Sequence, residues 1–464
     1  MFLFLPLTLL LLPFCRQRHR KLFLAAVSVA WFVLACYGEL FSMLQILLMV
    51  VVCAGLGAIP DPEGKHRTVL CAIGVALPLS LFVMARLLAE YGPADYHYPY
   101  GLTFVMLGAV SYAIDRYRGD APDHENPLHI AGYMLFFPVV TMGPMLRYKQ
   151  YLYATEHARA SMPRFSLGVR MYMLGYIKRI AVSAVVMRAL DDLLSYGPGM
   201  LPLASVAFAL LLAYFLLYFF VSGCTDMARG LMAMYGLQPP RGQAGLLDAT
   251  TPGRMLYGML LSLDRFLEDY VVKPLTHRTA KGGSCGLGTK ILARVLVFLL
   301  TVCFWRMRPE MLIFGLPVLI VSLLTVKWGR WERLPRKLWL RIPCTILSGL
   351  AVSLFALASI MEKPSDLFAI LGGMWGKHSI YSLYHMYTAL ADAKYLAVIG
   401  LLLAVLLPLQ HFWPRLRRHM PVWLAKTLHG LLTVLLFAGF VVTLIYVMPQ
   451  FPYYSYAAYY KLYL

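Results

Sequence analysis

The sequence predicts an all-α membrane protein that crosses the bilayer many times. Its 464 residues are 60% hydrophobic and have a mean hydropathy of +0.67, far more apolar than a soluble domain needs. Apolar runs recur along the whole chain and are separated by short polar or basic segments. Such runs cross a bilayer as helices, because a helix satisfies its backbone hydrogen bonds internally.

The apolar runs reach or approach the length of a membrane span along the whole chain. They cover residues 2–14, 22–36, 40–57, 68–89, 99–114, 130–146, 170–188, 203–221, 255–272, 289–305, 310–326, 340–360, 366–390, 394–410 and 427–448. Several are shorter than the roughly 20 residues that a simple span requires. We therefore expect roughly ten to twelve spans plus re-entrant or interfacial helices, in one membrane domain over residues 1–464.

The net charge of +20 is carried by short basic clusters between apolar runs, as in 15–21, 327–341 and 415–419. This arrangement is not that of a nucleic-acid-binding protein. By the positive-inside rule these loops are cytoplasmic, which places the N-terminus outside with the first run as a retained span. The same loops are suited to contact anionic membrane lipid.

The eight cysteines are scattered, mostly within apolar runs, and form no CxxC pair. Their spacing predicts neither a disulfide framework nor a zinc site, so core packing is the expected role. No metal site is predicted.

An apolar segment over residues 369–391 contains His378 and His385, two helical turns apart. Tyr381 and Ser382 lie between them on the same predicted face. Ionisable side chains at membrane depth are costly and usually face a cavity or a site, so this polar stripe is the leading candidate for the chemistry. The alternative is that each imidazole only bonds a neighbouring helix.

A second candidate follows a predicted break in the run FFPVVTMGPMLRYKQY, where Pro138, Gly143 and Pro144 precede Arg147. Broken helices at membrane depth persist where protein or a cavity supplies partners for the backbone. Arg147 is therefore a candidate substrate or tunnel residue. The alternative is that its side chain extends to the membrane interface.

Two further segments place carboxylates beside apolar runs. SGCTDMAR contains Asp226, and SLDRFLEDY interleaves charged and aromatic residues. In the second segment Arg265 and Asp269 are spaced for a helical ion pair, whereas Asp264 and Glu268 would repel each other. A solvated helix face is the alternative for these charges.

With these residues in view, the chain resembles the membrane-bound O-acyltransferase family, in the branch of the alginate O-acetyltransferase membrane subunit. The teichoic-acid D-alanyl transfer subunit is a more distant likeness. The similar segments occur in family order: FLFLPLTLLLL, CYGE, PYGLTFVMLGAVSYAIDRYRG, FFPVVTMGPMLRY, RFSLGVRMYMLGYIKRI, SGCTDMARGL, SLDRFLEDYVVKPL and LGGMW with a following LYH. The family's Trp-His-Gly differs here, since Gly376 or Gly372, depending on the register, stands where its histidine is expected.

The resemblance implies helices around a central tunnel and acyl transfer from a cytoplasmic donor, acetyl-CoA, to a hydroxyl of a cell-envelope polysaccharide. It implies no bound cofactor. His378 or His385 would be the general base, with His378 favoured because a local loop after Trp375 absorbs a two-residue shift. The residues that the resemblance and the patterns together suggest for substrate or tunnel contacts are Arg147, Asp226, Asp269, Tyr381 and Trp375.

The implied location is the bacterial inner membrane, with an extracytoplasmic acyltransferase and an acyl-donor protein as implied partners. A catalytically degenerate scaffold or acyl conduit of the same fold is the alternative, favoured by the altered histidine context. A secondary transporter ranks lowest, because no inverted repeat is visible.

Overall fold

A computed structural model of the chain describes residues 4–15, 19–36, 39–59, 66–93, 96–122, 125–140, 143–195, 197–240, 256, 258, 261–276, 286–328, 338–361, 364–374 and 420–450. Throughout these ranges every regular element is helical. The predicted all-α class is therefore confirmed.

The helices before residue 200 are mostly short and follow one another closely. They are α1 Phe4–Leu11, α2 Arg20–Ala35, α3 Leu40–Ala58, α4 Arg67–Tyr91, α5 Leu102–Arg118, α6 Pro127–Met134, α7 Phe137–Val140, α8 Tyr148–Glu156, α9 Met162–Tyr176 and α10 Ser183–Leu194. Short 3-10 turns form at Leu12–Phe14 and Pro198–Met200, and a π-helical turn, Ile177–Val182, joins α9 to α10.

The later helices include the longest one. They are α11 Leu203–Met234, α12 Leu261–Leu267, α13 Lys273–Thr276, α14 Leu287–Trp305, α15 Pro309–Trp328, α16 Leu338–Ile360, α17 Pro364–Gly373, α18 Val422–Val442 and α19 Met448–Gln450. Two more π-helical turns, Glu268–Val272 and Thr443–Val447, follow α12 and α18.

Five described helical segments are long and apolar enough to cross a membrane: Leu40–Ala58, Arg67–Tyr91, Leu203–Met234, Leu287–Trp305 and Gly430–Val447. Shorter apolar helices cover Pro127–Val140, Pro309–Leu323 and Thr345–Ile360. Together they define a multi-pass membrane protein. The predicted total of ten to twelve spans stays a prediction, because several apolar runs extend outside the described residues.

The chain divides into two compact units. The first consists of Met1–Tyr172, Thr225–Gly242 and Leu261–Cys285, and the second of Met173–Cys224, Gln243–Leu260 and Gly286–Leu464. Each is described by itself below. The prediction of one membrane domain stays a prediction.

In the first unit, the predicted break over residues 130–146 separates α6 from α7, and residues 143–147, which have no regular secondary structure, lead to α8. Pro138 lies in the first turn of α7, where its missing N–H leaves no helical hydrogen bond unmade. A side chain on Gly143 would collide with the Pro138 carbonyl and lie 2.9 Å from the Ala228 Cβ atom. Glycine thus lets the chain pass close to α7 and α11 just before Arg147 at the start of α8.

The carboxyl ends of α3 and α5 lie side by side in the first unit. The buried Arg116 guanidinium donates hydrogen bonds to the carbonyl oxygens of Leu56 and Ile59, at the end of α3. The last carbonyls of a helix lack regular intrahelical donors, and here the Leu56 oxygen also accepts from the Ile59 N–H at 3.4 Å. The contact fixes one end of the unit, where Arg116 and Arg118 both lie.

Candidate functional site

Three segments of the first unit meet around buried polar side chains: the last turns of α5, the start of α8 and the π-helical turn after α12. Ser111 and Asp115, four residues apart on α5, share one helix face. The Tyr270 hydroxyl donates to Asp115 Oδ1 at 2.7 Å and lies 2.9 Å from Ser111 Oγ. The backbone N–H of Tyr148 donates to the same Ser111 Oγ at 3.1 Å.

The direction of this hydrogen-bond chain follows from its ends. The backbone N–H of Tyr148 can only donate, so Ser111 Oγ accepts there. The Tyr270 proton is committed to Asp115, so Ser111 donates its own proton to the Tyr270 oxygen. The chain therefore runs in one direction, from the Tyr148 amide through both hydroxyls to the Asp115 carboxyl.

Asp115 is the end point of the chain and is only 4% exposed. Its second oxygen, Oδ2, is buried and has no hydrogen-bond partner in the part of the chain that the structure describes. The backbone N–H of Lys149 also lies beside this carboxyl and favours its charged form.

Arg147 forms an ion pair with Asp269, which places the two predicted residues in direct contact. Their side chains are 32% and 13% exposed, respectively. Lys273 pairs with the same carboxylate, and Arg118 donates to the main-chain oxygen of Asp269 at 3.0 Å. The Arg118 guanidinium also lies 5.2 Å from the centre of the Tyr270 ring.

The expected ion pair between Arg265 and Asp269 is not formed. Asp269 pairs with Arg147 and Lys273, while Arg265 is exposed. The Asp269 carboxylate is instead taken by Arg147, from the start of α8, and by Lys273, four residues further along its own segment. The Asp269 side chain is therefore mostly covered and does not lie on a solvated helix face.

The structure places Asp226 on α11, where its carboxylate lies 3.4 Å from the guanidinium of Arg229. Arg229 also donates to the Pro240 carbonyl at 2.9 Å. One partner of Asp226 is thus on its own helix, three residues away. Its predicted role in substrate contact stays a prediction.

Both predicted general bases and two of the predicted tunnel residues lie outside the described residues: His378, His385, Tyr381 and Trp375. Their roles stay predictions.

Sequence reasoning missed Glu125, which accepts from the Tyr148 hydroxyl, and His129, which bonds Glu125. Tyr148 donates to Glu125 Oε2 at 2.8 Å, and His129 Nδ1 lies 3.0 Å from Glu125 Oε1. Burial alone would raise the pKa of Glu125, but the bonds from His129, Tyr148 and the Asn126 N–H outweigh it and hold that pKa below its ordinary range. The i,i+4 spacing of Glu125 and His129 was the available signal.

Sequence reasoning also gave no role to Ser111 or Tyr270. Their signal was weak. Each is a single polar side chain, and the sequence does not show which side of its helix faces the neighbouring segments. Only the meeting of α5, α8 and the π-helical turn shows that they share one site. Within the described residues no group of three His, Cys, Asp or Glu side chains is placed to hold a metal ion.

The helices and this buried polar site together define an all-α, multi-pass membrane protein with a polar centre inside its first unit. No family model matches the chain.

The chain is similar to curated proteins named "Probable alginate O-acetylase AlgI". The protein from Pseudomonas putida is 30% identical over 259 residues, 51% of this chain and 52% of that protein. Those from Azotobacter vinelandii and Pseudomonas fluorescens are 27% and 28% identical over 255 and 245 residues, covering 51% of this chain and 50% and 48% of theirs. The predicted resemblance to the alginate O-acetyltransferase branch is confirmed. The chain spans about half the length of the curated relatives it matches.

Proposed function

We propose that this protein is a membrane-bound O-acyltransferase that moves an acetyl group from a cytoplasmic donor toward a hydroxyl of a cell-envelope polysaccharide. The support from comparison is that the similar proteins are named alginate O-acetylases, over about half of each chain. The support from the fold is the set of apolar helices long enough to cross a membrane, which suits transfer of a group across a bilayer.

The observation that carries the proposal is the meeting of three segments that individually resemble the family. The segment YAIDRY contains Asp115, GPMLRY contains Arg147 and Tyr148, and LEDY contains Asp269 and Tyr270. They are joined by the hydrogen-bond chain that ends at Asp115 and by the Arg147–Asp269 ion pair. Segments far apart in sequence thus build one buried polar centre, as a catalytic or ligand-holding site requires.

Acyl transfer to a hydroxyl needs a base for the attacking oxygen and donors for the oxyanion that develops on the carbonyl. We assign the base to His378 or His385, since an imidazole titrates near neutral pH. The Arg147–Asp269 pair would hold the start of α8 against the π-helical turn and keep the buried centre in shape. Burial also keeps water away from an activated acyl group.

Acetyl-CoA is the proposed donor, and the bacterial inner membrane is the proposed location. A polysaccharide on the outer side is out of reach of a cytoplasmic donor, so an extracytoplasmic acyltransferase is the proposed partner for the last transfer. An acyl-donor protein is a further proposed partner on the donor side.

The test is the ester-linked acetyl content of envelope polysaccharide in a strain that lacks the gene and is complemented with wild type, His378→Ala or His385→Ala. We expect one of the two variants to lose acetylation by at least about 100-fold, the usual scale of general-base catalysis. His157→Ala is the matched control, because this exposed imidazole stacks on Tyr153 and should be dispensable.

Membrane levels of each variant are compared by immunoblot. Full acetylation by both well-expressed histidine variants would contradict the catalytic assignment. That result would favour the scaffold alternative, in which partner enzymes perform the chemistry.

A further inference from the structure

The first unit carries an excess of positive charge around one carboxylate. Arg147 and Lys273 both pair with the Asp269 side chain, and Arg118 donates to its main-chain oxygen. We call Arg118, Arg147 and Lys273 the cationic cluster. Two of these cations pair with the Asp269 carboxylate and the third bonds its main chain, so the single charge of Asp269 cannot neutralise all three.

The other acidic groups nearby do not remove this excess. Asp115 is buried and bonded to the Tyr270 hydroxyl, and counting it as fully charged still leaves one positive charge. Asp120 is already paired with Lys149 at 2.8 Å. Glu268 forms no ion pair with the cationic cluster within the described residues.

The cations remain accessible while their shared acid is covered. The Lys273 side chain is 52% exposed and Arg118 is exposed, whereas only 13% of the Asp269 side chain is accessible. A guanidinium has five N–H donors in a rigid fork and an ammonium has three, so one carboxylate leaves donors in reserve. Asp269 thus holds the cations together and leaves their outer sides open to an anion.

The location of the cationic cluster indicates which anions can reach it. Arg118 ends α5 next to Arg116, which is bonded to the end of α3. This end of the unit also carries Lys149. The positive-inside rule places such an end in the cytoplasm, where anionic metabolites are available.

We propose, building on the acyltransferase function, that the cationic cluster binds the phosphate groups of the acyl donor. Arginine forks match phosphate oxygens in a bidentate manner, and lysine adds a mobile point charge. A coenzyme A thioester carries phosphates on its adenosine end and none on its pantetheine arm. The cationic cluster would hold the phosphates and leave the arm free to reach the acyl-transfer centre.

The test measures coenzyme A binding by calorimetry to purified protein in nanodiscs of zwitterionic lipid. We expect Lys273→Gln and Arg118→Gln each to weaken binding by about tenfold, the scale of a lost hydrogen bond between charged groups. Arg188→Gln is the matched control, because this cation of the second unit pairs with Asp192 on its own helix. It should bind coenzyme A like the wild type.

Pantetheine, which lacks the phosphates, is the second probe, and its weaker binding should be equal in all four proteins. The proposal would be overturned if both cluster variants bound coenzyme A as tightly as the wild type while unfolding at the same temperature as the wild type. An effect of the variants seen only with anionic lipid would assign the cationic cluster to lipid headgroups and would also overturn it. Coenzyme A binding without any acetyl transfer in the strain assay would instead count against the acyltransferase function and leave the phosphate site supported.

Discussion

At the scale of single residues, Asp269 determines how the candidate site is held together. Its carboxylate is mostly covered and lies between Arg147 and Lys273. A covered ion pair is screened less by solvent than an exposed one, so we expect it to contribute more to stability than the exposed Lys149–Asp120 pair does. The Arg147–Asp269 pair should therefore be measurable as a pairwise energy.

We predict a coupling energy of about 1 kcal/mol between Arg147→Gln and Asp269→Asn in a double-mutant cycle, the upper end for incompletely buried pairs. Thermal unfolding of the detergent-solubilised protein is the measurement. The exposed Lys149–Asp120 pair is the matched control and should give a coupling near zero. Equal coupling energies for the two pairs would show that the Arg147–Asp269 contact stabilises the protein no more than an exposed ion pair does.

Glu125 gives the protein a pH dependence of known sign. Because hydrogen bonds hold its folded-state pKa below the ordinary value of 4.5, the carboxylate stabilises the fold above about pH 4.5. That stabilisation is lost as the pH falls through the lower folded-state pKa.

We predict that Glu125→Gln unfolds at a lower temperature than the wild type at pH 7 and that the gap closes below about pH 4.5. Differential scanning fluorimetry across this range is the measurement. Asp120→Asn, at an exposed acid, is the control and should show a smaller gap. A gap that persists unchanged to pH 3 would rule out the carboxylate as its source.

At the scale of elements, glycines decide where helices of the first unit come closest. A Cβ atom on Gly230 of α11 would lie 2.6 Å from the Gly168 carbonyl oxygen and 2.6 Å from the Tyr172 backbone nitrogen, both on α9. Since backbone atoms cannot swing aside, the two helices touch only because both positions lack a side chain. Small residues have the same use in membrane helices generally.

We predict that Gly230→Ala destabilises the protein by about 1–3 kcal/mol, the usual cost of overpacking. Gly55→Ala is the matched control, because nothing lies within 4 Å of an added Cβ on this exposed position of α3. It should be neutral or stabilise α3 by roughly 0.5–1 kcal/mol. Thermal midpoints and the yield of monodisperse protein measure both, and a tolerated Gly230→Ala would refute the close-contact explanation.

At the scale of the whole molecule, the basic end of the first unit predicts its orientation in the membrane. Arg116 and Arg118 end α5, and Lys149 lies at the same end through its pair with Asp120. Tyr91 ends the spanning helix α4, whose other end begins at Arg67. Positive-inside orientation thus places Lys149 in the cytoplasm and Tyr91 on the outer side.

We predict that a membrane-impermeant maleimide labels Tyr91→Cys in intact spheroplasts but labels Lys149→Cys only after permeabilisation. Both variants are made in a background whose eight cysteines are replaced by alanine, so no native thiol contributes. The reverse pattern would invert the orientation and remove the basis for a cytoplasmic phosphate donor at the cationic cluster.

The sequence by itself determined the helical membrane class, the basic clusters between apolar runs and the break before Arg147. Each of these follows from local chemistry: apolar run length, charge in short loops and the backbone limits of proline and glycine. It also marked Arg147 and Asp269 as candidates, one at a time.

Only the tertiary structure decided that Arg147 and Asp269 are partners and that Ser111, Tyr270 and Asp115 form one hydrogen-bond chain. These residues lie on segments far apart in sequence, and Asp269 pairs with Arg147 from another segment and not with Arg265, the partner that the helical spacing predicted. Side-chain pairing across helices depends on how helices rotate and pack, and no local pattern encodes that rotation.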